Sequence, residues 1–182
     1  MAIYKILATA GWWLSLAASS AAYAGGIAEI PRSLGPFKLR MSIGEFAQIA
    51  HVQPEPCANC AKNEVFTALS AAQVRQLIPK LNTNAGLDLI FYENRLYRIS
   101  LGTEATDLSE VRKELSALYG TGQTVALKNG TSYMQWEDSG TIVTANYQTA
   151  SEQVFAINYF DWDIKTERDN RASLDAGQAD TR

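Results

Sequence analysis

The sequence is poor in the residues that build catalytic and metal sites. Among 182 residues there are one histidine and two cysteines, and no Gly-x-Ser-x-Gly motif occurs. A serine or cysteine triad needs a histidine as its base, and His51 is the single histidine in the sequence. We therefore predict a protein that is not an enzyme and that uses neither a cofactor nor a metal ion.

The chain also has little net charge. Sixteen basic and 19 acidic residues give a formal net charge of −3, and the basic residues form no cluster. This balance gives no electrostatic reason to expect binding to nucleic acid or to anionic lipid. A hydrophobic fraction of 47% with 19% charged residues fits one globular domain, and it excludes a disordered chain or a disulfide-dense miniprotein.

The first 24 residues contain the longest apolar run. Lys5 is their only charge, residues 6–16 are apolar, and Ala22-Tyr23-Ala24 is a small-x-small cleavage motif. A membrane span needs about 20 apolar residues, and this run gives way to serine and alanine earlier. The pattern therefore predicts a secretory signal peptide over residues 1–24, with no membrane span after its cleavage. The mature chain of 158 residues, of charge −4 once Lys5 is lost, would be periplasmic or secreted.

Capping motifs and apolar periodicity predict three helices. The first two begin with capping boxes, in which a serine side chain and the side chain three residues later bond each other's backbone amides. The third begins with an acidic first turn and ends at a glycine, Gly120. The helix starts are Ser42 with Glu45, Ser70 with Gln73, and Asp107.

Five β-prone segments complete the predicted elements, and Glu93-Asn94 between the first two suits a tight hairpin. The order predicts an α+β domain with two or three helices packed on one face of an antiparallel sheet of about five strands. We expect one domain over residues 25–168 and a disordered polar tail over residues 169–182. The strand candidates are Leu87–Tyr92, Arg95–Leu101, Thr131–Trp136, Thr141–Tyr147 and Gln153–Phe160.

Four local motifs together resemble the small periplasmic domains of the SmpA/OmlA type. These are a cap-and-helix opening at residues 39–46, a hairpin at residues 91–99, a helix end at residues 115–120, and Trp136 followed by Asp138. The resemblance implies a fold similar to β-lactamase-inhibitor-like domains. It also implies a non-enzymatic role in the bacterial cell envelope through protein–protein contact. Members of the family include an accessory subunit of the outer-membrane β-barrel assembly machinery.

The sequence departs from that family pattern in three places. It has no lipid-attachment cysteine after the predicted cleavage site, and Arg40 stands where glycine is usual. A loop rich in proline and cysteine is inserted between the first two helices. The resemblance therefore implies the fold and the compartment without a lipid anchor.

The inserted loop contains the Cys57-Ala58-Asn59-Cys60 motif. In an exported protein two such thiols usually form a disulfide, and we predict the Cys57–Cys60 bond. Two other interpretations remain open. The pair could serve an envelope thiol–disulfide redox factor, which is the alternative function. A zinc site would need His51 and a fourth ligand such as Glu55 or Glu64.

Aromatic residues are concentrated in the C-terminal strands. Strand alternation sends about half of them into the core, and the remainder would form an aromatic surface for a protein or glycan partner. The acidic pairs Glu137/Asp138 and Asp161/Asp163 lie at strand ends, where solvated carboxylates are common, so paired-carboxylate catalysis is disfavoured. We predict a non-catalytic interaction module with an unidentified envelope partner. Its predicted surface consists of Tyr159, Phe160, Trp162 and Trp136.

Overall fold

The computed structural model describes residues 29–56, 60–79, 81, 84–127 and 129–179. The predicted signal peptide and Cys57 lie outside these residues. The described residues form four helices and nine strands. The helices are α1 (Ile43–Ala50), α2 (Ala71–Leu77), α3 (Leu108–Tyr119) and α4 (Trp162–Ala179). The strands are β1 (Ser33–Leu34), β2 (Phe37–Lys38), β3 (Glu64–Leu69), β4 (Leu87–Tyr92), β5 (Arg95–Asp107), β6 (Gln123–Ala126), β7 (Thr131–Glu137), β8 (Thr141–Gln148) and β9 (Gln153–Asp161).

One antiparallel sheet holds seven of these strands, in the order β3-β4-β5-β9-β8-β7-β6. β1 and β2 form a separate two-stranded sheet. The predicted sheet of about five strands is therefore wrong, because β3 and β6 extend it at its two edges. Both added strands are short, at six and four residues, and each begins after an irregular segment.

Helices lie on both faces of the large sheet, which corrects the prediction that they share one face. Phe46 of α1, Val74 of α2 and Leu115 of α3 belong to the main hydrophobic core on the first face. Ile164 of α4 instead packs with Tyr92 and a neighbouring tyrosine of β5 in a second, smaller cluster. Alternation along β4 explains the division, because Leu87, Leu89 and Phe91 point to one face and Tyr92 to the other.

The predicted helices and the central hairpin are confirmed. Both capping boxes are formed, at Ser42 and at Ser70, and the Asp107 side chain caps α3 by accepting the Ser109 amide over 2.7 Å. The Glu93-Asn94 turn joins β4 to β5 with positive φ angles of 47° and 67°. Two consecutive residues of positive φ are typical of the type I′ turn, whose twist matches that of the flanking strands.

Residues 169–179, which fall in the predicted disordered tail, continue helix α4 in the structure. This helix has little apolar periodicity of its own. It is held by Ile164, which is 1% exposed, and by ion pairs to other elements. Arg168 pairs with Glu64 over 2.9 Å and Arg95 with Glu167 over 2.8 Å. The partners lie 72 to 104 residues away in sequence, so the local pattern of the tail does not reveal them.

Candidate functional site

The inserted proline-rich segment bridges one edge of the large sheet at a single residue pair. Glu55 forms two backbone hydrogen bonds with Phe66 of the edge strand β3, with N–O distances of 2.8 and 2.9 Å. Pro54 and Pro56 flank Glu55, and proline has no backbone N–H to offer a further strand. The β3 edge is therefore closed to strand addition at its centre.

The opposite edge strand, β6, pairs with β7 on one side, and no described residue pairs with its other side. The Leu127 amide donates to the Thr131 carbonyl over 3.0 Å, which continues the β6–β7 register. Backbone groups alternate in an antiparallel ladder, so the N–H and C=O groups of Thr124 and Ala126 point away from β7. Both residues are exposed. At this sheet edge, the backbone N–H and C=O groups of two β6 residues are thus unpaired by any described residue.

A polar row crosses the second face of the sheet, the face on which α4 lies. Its members are directly opposite one another in neighbouring strands from β4 to β6. Three central members are buried although they are polar: Ser100 is 5% exposed, Asn158 0% and Thr144 7%. The row consists of Asp88, Ser100, Asn158, Thr144, Gln135 and Gln123.

A directed chain of hydrogen bonds runs across this row. Arg98 donates to Asn158 Oδ1 from Nη2 over 2.9 Å and from Nε over 3.3 Å. Asn158 Nδ2 donates to Thr144 Oγ1 over 3.1 Å, and Oγ1 lies 3.0 Å from Asn146 Oδ1, to which it donates. Because a guanidinium only donates, Asn158 must turn its oxygen towards Arg98 and its amide nitrogen towards Thr144. We call Arg98, Asn158, Thr144 and Asn146 the donor chain.

Arg98 begins the donor chain as a half-buried cation. Its guanidinium carbon lies 5.4 Å from the centre of the Phe160 ring, in cation–π contact. Burial lowers the pKa of Arg98 from its ordinary value. The negative charges of Asp88 and Glu64 act in the opposite direction and partly offset this decrease. No described carboxylate oxygen lies within 4.0 Å of the guanidinium nitrogens.

A second polar cluster joins α4 to the sheet beside the donor chain. Tyr97 Oη donates to Glu64 Oε1 over 2.6 Å, and Arg168 Nε donates to the same oxygen over 2.9 Å. Glu64 is 7% exposed, so its charge is balanced inside the protein by Arg168. Burial and the Glu64 carboxylate raise the pKa of Tyr97 well above its usual range. This cluster attaches the helix to the sheet.

The structure separates the four residues of the predicted aromatic surface. Trp136 is 2% exposed, and its Nε1 donates to the Gly120 carbonyl over 3.1 Å on the first face. Tyr159 is 7% exposed and belongs to the same core, so neither residue is available to a partner. Phe160 is half-buried on the second face, beneath Arg98. Trp162, at the start of α4, keeps 40% of its surface exposed.

The inserted loop is only partly described. The predicted disulfide and the redox alternative both require Cys57, which lies outside the described residues, and they stay predictions. Cys60 is half-buried, and the described part of the chain contains no free cysteine. His51 is exposed at the end of α1 with a φ of 55°. Within the residues described, no three side chains of histidine, cysteine or acidic type are grouped to hold a metal ion.

The acidic pair Asp161/Asp163 has a structural role that the sequence did not suggest. Asp161 is fully buried at the end of β9, and it accepts bonds from Arg40 and from the Ile164 amide at the start of α4. Asp163 is exposed and also accepts from Arg40. Arg40 reaches both carboxylates from a backbone φ of 74°, a conformation that favours glycine.

Sequence and structure comparisons identify no family for this chain. No family model and no curated protein match it. Two solved structures are similar at low identity. One is a cysteine-rich secretory protein from Staphylococcus aureus, at 7% identity and a TM-score of 0.42, covering 76% of this chain and 51% of that one. The other is an extracellular SCP-domain protein from Bacillus anthracis, at 8% identity and a TM-score of 0.44, covering 78% and 50%.

The chain spans about half the length of those two proteins. Both are secretory or extracellular proteins by description. At these TM-scores and identities, the likeness assigns neither a fold family nor an activity to this chain. Among the described helices, none combines the length and the apolar character that a membrane crossing requires.

Proposed function

We propose that the protein is an exported, non-catalytic interaction module of the bacterial cell envelope, and that it binds an extended segment of a partner protein along β6. The observation that supports this most is the difference between the two sheet edges. A proline-flanked segment bridges the β3 edge at Phe66, whereas the outer groups of Thr124 and Ala126 in β6 have no partner among the described residues.

An unprotected sheet edge is a template for strand addition. Native proteins usually protect edges with charges, prolines, bulges or a covering segment, because an open edge pairs with other chains. β6 reads Gln-Thr-Val-Ala, with no charge and no proline. In recognition by strand addition, main-chain hydrogen bonds supply the affinity, and alternate side chains supply the specificity. β6 has the features that this mode of binding requires.

The side chains next to this edge indicate what kind of partner segment would fit. Leu127, which follows β6, is 45% exposed, and Val125 is half-buried on the second face. A partner strand with apolar side chains opposite these residues would bury apolar surface as it pairs. The partner we propose is therefore an uncharged, β-prone segment of an envelope protein.

The proposed compartment and the proposed disulfide are consistent with this role. The signal-peptide pattern and the resemblance to SmpA/OmlA-type domains both favour the envelope. Both ends of the inserted loop are tied to β3, through Glu55 to Phe66 and through the Ala61 carbonyl to the Glu64 amide over 3.0 Å. A Cys57–Cys60 disulfide would shorten this loop and hold it against β3.

Site-specific photocrosslinking in intact cells tests the proposal. A benzophenone amino acid replaces Ala126 in β6 or, as the matched control, Ala68 in β3; both alanines are exposed on edge strands. We expect the Ala126 position to give a discrete adduct with an envelope protein and the Ala68 position to give none. Equal adducts at both positions, or none at Ala126 in any envelope fraction, would contradict binding at β6.

A further inference from the structure

We propose that the second face of the sheet binds a ligand that carries an oxyanion group, a carboxylate or a phosphate, with Arg98 holding the anion and Asn146 donating to a second acceptor of the same ligand. This site lies on the sheet face and does not use the β6 edge. The proposed anion site can therefore be tested independently of the proposed binding of a partner strand at β6.

The first argument is that the charge of Arg98 has no close counterion. Four described arginines form ion pairs with carboxylates, and Arg98 is not among them. They are Arg40, Arg95, Arg168 and Arg171. Arg98 is more buried than these, and its hydrogen bonds go to a neutral amide oxygen. A partly desolvated guanidinium forms its strongest bonds with carboxylate and phosphate oxygens, so an anion is the favoured ligand for its free donor atoms.

The second argument is the direction of the donor chain. Arg98 fixes Asn158 with its oxygen towards the guanidinium and its amide towards Thr144. Thr144 then donates to Asn146 Oδ1, so Asn146 Nδ2 is left as the terminal group of the chain. Neither Asn146 Nδ2 nor Arg98 Nη1 has a hydrogen-bond partner among the described residues. Both ends of the chain thus offer donors, which suits an acceptor-rich ligand.

The third argument is the shape of the face between the two ends. Ser100 and Gly102 of β5 and Ala156 of β9 are small, and they lie on this face between larger side chains. Arg98 and Asn146 are two strands apart, roughly 10 Å across the sheet, and they lie opposite Phe160 and Ala156, which are roughly 13 Å apart along β9. The ligand must therefore extend over β9, with its oxyanion at Arg98. Asp88 is exposed on the same face, and it disfavours an anion placed towards β4.

The Arg98 guanidinium stays positively charged at neutral pH. Although burial lowers the pKa of Arg98, an arginine side chain starts from an ordinary value of 12.5 and remains protonated in proteins. Oxyanion binding at Arg98 therefore needs no titration of the protein. It requires only that the anion displace water from Nη1, and the existing bonds to Asn158 already hold the guanidinium in place.

Nuclear magnetic resonance titration with two simple probes tests the site. Inorganic phosphate and acetate are added separately to the ¹⁵N-labelled mature protein, and the Arg98 Nε–H and Asn146 side-chain amide signals are followed. We expect a saturable shift of the Arg98 signal with at least one probe. A response to phosphate alone would identify a phosphate ligand and a response to acetate alone a carboxylate. No saturable shift of Arg98 with either probe would overturn the proposal.

Two variants exclude a general charge effect. Arg95→Gln removes an arginine from the same strand that is already paired with Glu167, and it should leave binding unchanged. Arg98→Lys keeps the charge but loses the planar set of donors, and it should weaken binding about tenfold. Binding lost equally in Arg95→Gln and Arg98→Lys, or retained in full in Arg98→Lys, would contradict the assignment to the Arg98 guanidinium.

Discussion

Arg40 Nε donates to Asp161 Oδ2 over 2.6 Å, and this ion pair ties the segment before α1 to the junction of β9 and α4. The Asp161 side chain is fully buried, whereas that of Arg40 is 45% exposed. Hydrogen bonds to Asp161 and Asp163 raise the pKa of Arg40 above its ordinary value. Arg40 reaches this position from a left-handed backbone conformation, which costs an L-residue about 1–2 kcal/mol.

Two replacements of Arg40 separate the ion pair from the backbone conformation. Arg40→Ala leaves Asp161 buried without its cation, and we expect a loss of about 2 kcal/mol, below the range for a fully buried pair because Arg40 is half exposed. Arg40→Gly should lose about 1 kcal/mol less, because glycine accepts the positive φ without strain. Urea denaturation measures both values. Equal stability of the two variants would show that the left-handed conformation carries no cost here.

Two buried tyrosines differ in the environment of their hydroxyl groups. Tyr97 Oη donates to Glu64, whereas Tyr119 Oη has no hydrogen-bond partner among the described residues. We expect Tyr97→Phe to cost about 1.5–3 kcal/mol, the range for a bond to a charged group. Tyr119→Phe removes only an unsatisfied hydroxyl, so its stability should be unchanged or higher by about 1 kcal/mol. Thermal and urea unfolding of the two variants would refute this if Tyr119→Phe were the more damaging.

Alkaline pH should destabilise the fold through the same tyrosines. Burial, with the Asp138 charge, raises the pKa of Tyr119 from 10.0 to about 12, so above pH 10 the unfolded chain releases a proton that the folded chain keeps. Stability therefore falls as pH rises from 10 to 12, by about 1.4 kcal/mol at pH 11 for this residue. Burial raises the pKa of Tyr97 and Tyr159 in the same direction.

The alkaline prediction is checked by measuring the free energy of unfolding at pH 8, 10 and 11. Tyr119→Phe is the control, because it removes one of the titrating groups. Its stability should fall less steeply above pH 10 than that of the natural sequence. The same slope in both proteins would show that Tyr119 titrates normally in the folded state.

Ile164 is the buried apolar side chain that adds to the ion pairs in attaching α4 to the sheet. Ile164 is 1% exposed against Tyr92 and Tyr97, and we expect Ile164→Ala to cost about 2–5 kcal/mol, with α4 becoming less protected from hydrogen exchange. Leu174 on the same helix is 68% exposed, and Leu174→Ala should change stability by less than about 0.5 kcal/mol. Comparable losses in both variants would contradict this account of α4.

Elements with strong local signals could be predicted from the sequence. The capping serines of α1 and α2 and the two-residue turn at Glu93-Asn94 act within three or four residues of chain, so their outcome is fixed locally. β3 could not be recognised in this way, because the covering segment at Glu55 and the pairing with β4 are tertiary. Helix α4 could not be recognised for the same reason: its sequence is polar, and its stability comes from ion pairs with residues far away in the chain.

The candidate site was harder to predict than the fold. Which face an aromatic residue occupies depends on register, and a shift of one residue exchanges the faces. Trp136 and Tyr159 therefore could not be assigned to core or surface from composition. Arg98 reads as an ordinary exposed strand residue in the sequence. Its position beside Asn158 and Phe160 follows only from the pairing of β5 with β9 and from the bulges in both strands.

The most direct test of binding at β6 is a proline at Thr124, whose amide points away from β7. Thr124→Pro removes an outward donor without removing a β6–β7 hydrogen bond, so the melting temperature should stay close to that of the natural sequence. Introduced into the protein that carries the photocrosslinker at Ala126, it should abolish the envelope adduct. An undiminished adduct in a fully folded Thr124→Pro protein would contradict strand addition at this edge.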